Sequence, residues 1–121
     1  MTEGEKSKRY DLEGRTFEFA RRVRAFLKTL PRTVANVEDG RQLVRASGSV
    51  GANYIEANEA LSKKDFRMRI KISRKEAKES RYFARLLDTG TDPMVEHERQ
   101  AIVAEAAELV SIFSAILRKA E

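Results

Sequence analysis

The chain has no cysteine and no tryptophan, one histidine and two prolines in 121 residues. Without cysteine it can build neither a disulfide framework nor a thiolate metal site, and a reducing cytoplasm is the expected setting. The lone His97 stands among acids where a helix is expected to start, which fits a solvated side chain better than a general base, so no catalytic residue, metal site or cofactor is assigned. Few prolines leave long uninterrupted stretches for helices, and an aromatic content of 7% argues against a sheet-rich core. No run approaches the ~20 apolar residues needed to cross a bilayer, and the first ten residues are polar, so neither a membrane span nor a secretory leader is expected.

What the chain does have is charge, and it is unevenly placed. Charged residues make up 36% of the sequence, with a formal net charge of +5. Residues 63–85 carry ten Lys or Arg against three acids, whereas residues 86–121 carry three against seven. Such a division steers an anionic partner, or lets neighbouring helices or subunits attract each other.

Periodicity and punctuation predict an all-α chain: a loose tail over residues 1–12, then one bundle over 13–121 with helices near 14–30, 37–61, 63–88 and 93–119. In the first helix Phe19, Val23, Phe26, Leu27 and Leu30 recur at three- and four-residue steps, and Pro31 stops it. Asn36 is the expected cap of the second helix, with Asp39 three residues on. Ser62 with Asp65 caps the third, whose buried stripe is Phe66, Ile70, Ala77, Ala84 and Leu87. Asp92-Pro93 opens the fourth, with Val95, Ile102, Ala106, Leu109, Phe113 and Ile116 facing inward. Short connections force consecutive helices antiparallel, which gives an up-down-up-down four-helix bundle.

The second helix concentrates small residues where a bundle usually carries Leu. Each internal glycine costs about 1 kcal/mol against alanine, so Gly48 and Gly51 point to a close backbone approach. Two apolar stripes run along it: Leu43, Ala46, Val50, Ala57 and Leu61 on one side, Val44, Gly48, Ala52 and Ile55 on the other. Two stripes call for two packing partners, either the core and a second subunit or a crowded monomer. Between them lie Arg45, Ser49, Asn53 and Glu56, read either as a solvated edge or as a hydrogen-bond network reaching other helices. Antiparallel pairing sets Asn53 opposite Ser73 and Arg45 near Glu79. Gly48-Ser49-Val50-Gly51 superficially matches a phosphate-gripping GxxG loop or part of a nucleophile elbow, but both need adjacent strands that the pattern lacks.

The third helix carries Lys64, Arg67, Lys71, Arg74, Lys75, Lys78, Arg81 and Arg85 on one face, a stripe about 32 Å long that includes Tyr82 as a stacking surface. This is either a nucleic-acid contact face or an ordinary solvated one.

The run from Leu43 through Arg45, Gly48, Ser49, Gly51 and Asn53 to Ala57, the Ser62–Phe66 cap, and the segment from Lys71 through Glu79 to Tyr82 resemble the proteins encoded in intervening sequences of bacterial 23S ribosomal RNA genes. That family is related to the Avd accessory proteins of diversity-generating retroelements, and the resemblance spans residues 16–117. It implies a four-helix bundle assembled as a homopentamer, with nucleic-acid binding in the retroelement branch and a reverse transcriptase as partner there. Ala57 and Phe83 stand where members often have Gly and Trp, both mild packing changes.

Three functions from different classes follow: an oligomeric nucleic-acid-binding or accessory protein, a structural scaffold in which the basic third helix meets a neighbour's acidic fourth, and, ranked last, an enzyme. A basic helix lying on an anionic membrane lacks an exposed row of large apolar residues beside the charges.

Overall fold

Four helices, α1 (Glu3–Leu27), α2 (Val34–Asn58), α3 (Lys63–Leu86) and α4 (Pro93–Lys119), make up the computed structural model. It describes the backbone from residue 3 and side chains from residue 12. The expected tail over residues 1–12 therefore falls almost wholly outside the described side chains; the helix assignment itself begins at Glu3, well before Gly14.

Each later helix starts where a side-chain oxygen meets a free backbone N–H. Ser62 Oγ accepts from Asp65 N at 3.0 Å, and Asp92 Oδ1 accepts from Met94 N at 2.9 Å ahead of Pro93, as the sequence predicts. The start of α2 is different. Thr33, not Asn36, is the cap, its Oγ1 accepting from Asn36 N at 3.1 Å. Asn36 is instead buried, at 6% exposure, and its amide ties together two loops. Nδ2 donates to the carbonyls of Pro31 (2.9 Å) and Asp88 (2.8 Å), while Oδ1 accepts from Asp88 N at 2.9 Å. The α3–α4 loop turns beside this staple at Gly90, whose φ of +72° favours glycine and where a Cβ would sit 3.1 Å from Pro31 Cγ. Replacing Asn36 by Ala leaves the Asp88 backbone groups without their partner, so we expect a loss of about 2 kcal/mol in denaturant melts with no change in helix content.

α2 and α3 form the most extensive helix pair, α3 packs on α4, and α1 closes the square more sparsely against α2 and α4; among the described residues the diagonal pairs do not approach. Side-chain pairs step in opposite directions along neighbouring helices, Arg45 to Glu79 and Asn53 to Arg69 between α2 and α3, Arg15 to Glu105 and Arg22 to Glu98 between α1 and α4. This is the antiparallel up-down-up-down bundle. Phe19, Val23 and Phe26 of α1, Leu43 and Val50 of α2, Ile70, Ala77 and Ala84 of α3, and Ile102, Leu109 and Phe113 of α4 fill the core. Leu61 does not join its stripe: α2 stops at Asn58, and Leu61 stands 99% exposed in the following turn.

α4 departs from one expectation, since its most apolar 18 residues have a mean hydropathy of 1.6, high enough for a bilayer by composition. Here Ile102, Ala106, Leu109, Phe113 and Leu117 are buried in the bundle, and Val103, Val110, Ile112 and Ile116 pack half-buried against it.

Charge holds the sparse α1–α4 seam. Arg15 grips Glu105 through two bonds of 2.8 Å and reaches Glu108 at 3.2 Å, and Arg22 grips Glu98 at 2.6 and 2.7 Å. The Arg22 guanidinium holds the Glu98 carboxyl below its ordinary range. Glu96, bonded to Arg99 and to Thr89 of the α3–α4 loop, is pushed down to about 2. A carboxylate with a lowered folded-state pKa stabilises the fold above its unfolded value and loses that contribution as pH falls through the lowered one. We therefore expect the start of α4 to loosen as pH drops from about 4.5 towards about 2, and the Arg22–Glu98 link between α1 and α4 to weaken on acidification as the lowered Glu98 carboxyl takes up its proton. Amide exchange should rise there before it rises in α2 and α3, and Glu98→Gln should flatten the pH dependence at α1.

Candidate nucleic-acid interface

Helix α3 has three sides, and each of its charges is used differently. Ile70, Ser73, Ala77, Ser80 and Ala84 face the core, where Ser73 Oγ donates to Val50 O at 2.9 Å. On the α2 side Arg45 binds both acids in the middle of α3, with Nη1 3.0 Å from Glu76 and Nη2 2.5 Å from Glu79. Glu76 is 4% exposed, so the bridge to Arg45 serves to match a buried carboxylate. On the same side Arg69 Nη1 donates to Asn53 Oδ1 at 3.1 Å, and Asn53 Nδ2 donates back to Ser49 O at 2.9 Å.

This is the expected polar network in part. Arg45 reaches Glu79 as antiparallel register demands, whereas Asn53 meets Arg69, one turn before Ser73. Ser49 contributes its carbonyl, and Glu56 is exposed. Arg69 and Glu76 do not stand out in the sequence. Their only signal is position, each immediately preceding a buried apolar residue, Ile70 and Ala77.

The third side faces solvent. Lys64, Lys71, Lys75, Lys78, Arg81, Tyr82 and Arg85 are all exposed. Lys64, Lys71, Lys78 and Arg85 follow one another at seven-residue steps, a nearly straight column with about 10.5 Å between cations. Two members of the sequence stripe sit aside from it: Arg67 Nη1 donates to Leu117 O at 2.9 Å and Arg74 Nη1 to Ser114 Oγ at 3.4 Å, both half-buried on the α4 flank. Long flanking side chains find a neighbouring helix before they find solvent.

The cations of the column lack carboxylate partners among the described residues, as do exposed Arg24, Lys28, Arg32 and Arg41; what sets the column apart is its regular seven-residue spacing along one helix face. Among the described residues Arg15, Arg22, Arg45 and Arg99 each hold a glutamate, while Lys64, Lys71, Lys78, Arg81 and Arg85 hold no carboxylate; Lys75 comes only within 4.0 Å of Glu79. Glu76 and Glu79 of α3 are turned to Arg45 of α2, and Asp65 is exposed in the first turn. Those of α4, Glu98, Glu105 and Glu108, are taken by α1.

A second surface lies between α1 and α2. Gly51 is buried against Thr16, where a Cβ would stand 2.8 Å from Oγ1, so this glycine serves contact within the monomer. Gly48 is looser: a Cβ there would meet only the Arg24 guanidinium, at 3.4 Å. Outside them an apolar groove is lined by Phe17, Ala20, Ala52 and Ile55, with Phe17 61% and Ile55 50% exposed. Phe17 lies off the Phe19, Val23, Phe26 stripe, which is the signal by which the sequence could have placed it outside. His97 is exposed at the start of α4, and among the described residues no group of His, Asp or Glu has the arrangement of a metal site.

The four helices and their antiparallel packing define the class: a small all-helical four-helix bundle. The model of the 23S rRNA-intervening sequence protein family matches residues 8–115, and the chain belongs to that family. It is similar to a crystal structure of a protein with unknown function from the S23 ribosomal protein family of Bacteroides thetaiotaomicron, with 28% identity and a TM-score of 0.72 over 87% of this chain and 96% of that one. No curated protein matches the chain.

Proposed function

We propose that the protein is a non-enzymatic homo-oligomer of the cytoplasm that binds RNA or DNA through the solvent face of α3. The observation that carries this reading is the column Lys64, Lys71, Lys78 and Arg85, with Arg81 beside it: five exposed cations along one helix face that hold no carboxylate among the described residues. Like charges three or four residues apart cost a few tenths of a kcal/mol each, a cost that phosphate binding offsets. Contact with the phosphate backbone is the mechanism, and it makes binding tolerant of sequence.

The scaffold alternative needs α4 acids free to meet a neighbour's α3. Glu98, Glu105 and Glu108 are already held by Arg15 and Arg22, which weighs against it.

Oligomerisation is supported by the exposed apolar groove of Phe17, Ala20, Ala52 and Ile55 and by the pentamer that the family resemblance implies. Light scattering at micromolar concentration should give a mass several times 13.8 kDa. Ile55→Glu, placing a charge in the groove, should lower that mass with helicity retained. A wild-type mass of one chain would refute the assembly, and unchanged mobility of both RNA and DNA at low salt would refute the binding.

A further inference from the structure

The cationic column carries a feature that phosphate attraction alone does not call for. Beside Lys71, Lys78 and Arg85 runs a second line of residues, Met68, Lys75 and Tyr82, again at seven-residue steps, with Leu86 one turn beyond Tyr82. Met68 is 48%, Tyr82 58% and Leu86 50% exposed. The Tyr82 ring meets Phe83 edge to face, with centroids 5.3 Å apart and planes at 84°, and Phe83 itself packs against the core. The exposed ring is thus braced from inside the bundle. Lys78 lies one turn before it and Arg85 one turn after, both without a carboxylate among the described residues.

Resting on the nucleic-acid reading above, we propose that Tyr82 is a base-stacking platform and that the ligand of the α3 face is single-stranded nucleic acid. In a duplex the base faces are covered by their neighbours, and a helix reaches only phosphate, sugar and base edges in the grooves; the flat face of the ring would then find no base face to stack on. In a single strand each base offers a free face, while its phosphates reach the cations a turn away on either side. A braced ring flanked by two uncompensated cations matches that alternation of flat apolar and anionic groups. Stacking is tolerant of base identity, so the proposal keeps the expectation of weak sequence preference.

The test is fluorescence anisotropy on the full chain with three labelled probes: a single strand of mixed sequence, its duplex, and the same strand built with abasic sugars. Tyr82→Ala should weaken the base-bearing single strand about tenfold, with the duplex and abasic probes unaffected. Tyr82→Phe, which keeps the ring and removes the hydroxyl, should bind all three as the wild type does. Circular dichroism establishes that both variants keep their helices. If Tyr82→Ala changes no probe, or weakens duplex and single strand alike, the stacking platform is overturned and the phosphate reading stands. If the wild type binds none of the three, both fall.

Discussion

Reversing Lys71, Lys78 and Arg85 to Glu should abolish nucleic-acid binding while leaving helicity and oligomeric mass unchanged. The three side chains occupy successive steps of one exposed column and hold no carboxylate among the described residues, so their replacement breaks no ion pair in the fold. The variant removes three positive charges and adds three negative ones along about 21 Å of helix. Each phosphate contact contributes to the counterion release that drives association, so losing three and adding repulsion should reduce affinity by more than a hundredfold, on the order of the effect of a large rise in salt. Lys75 is a poorer choice because it borders Glu79, and a carboxylate there would disturb the Arg45 bridge. Filter binding reads the affinity, and circular dichroism and light scattering read the fold and assembly. Loss of assembly in this variant would identify the column as a contact between subunits and put the scaffold reading first.

The largest effect on the fold is expected at Gly51. A leucine there drives its Cβ to within 2.8 Å of Thr16 Oγ1 and 3.2 Å of Thr16 Cβ. Thr16 has little room to yield, since it is 1% exposed and its hydroxyl donates to the carbonyls of Leu12 and Glu13, both at 3.0 Å. Overpacking of this kind costs about 3 kcal/mol, and α1, the most sparsely held helix, is the element that must move away. Gly48→Ala should behave in the opposite sense. Its new methyl meets only the end of the Arg24 side chain, and relief of the helical glycine is worth about 1 kcal/mol. Urea denaturation of the two single variants, and of Gly51→Ala with and without Thr16→Ala, should separate them. Equal effects at both glycines would refute the close α1–α2 approach as the reason for Gly51.

The contrast between the two glycines shows where the sequence stops being legible. Both sit among small residues at helical spacing, and only Thr16, thirty-five positions earlier, distinguishes the one under compression. Local signals are readable because they act within one turn: Ser62 with Asp65, and Asp92 followed by proline, each satisfy a backbone N–H a few residues away. The Arg45–Glu79 pair is readable because antiparallel register follows from a short turn.

The start of α2 differs from expectation because Asn36 is the stronger cap by residue type, yet Thr33 takes that place. The choice is made by Asp88, fifty-two residues on, which takes the Asn36 amide into a different task. Residues 3–12 lack apolar periodicity, so nothing in them announces a helix beginning at Glu3. The cationic stripe is visible as a row of residues, but its lack of compensation is not. That property depends on where the acids of α3 and α4 point, and it separates Arg67 and Arg74, which reach α4, from the column that faces solvent.

The central claim, that the α3 column binds nucleic acid by phosphate contact, is tested most directly by the salt dependence of wild-type affinity for a labelled single strand. With about four phosphates contacted per protomer, a plot of log affinity against log salt should be linear with a slope near −3, at roughly −0.7 per contact. A flat plot, or no binding at low ionic strength, would contradict it.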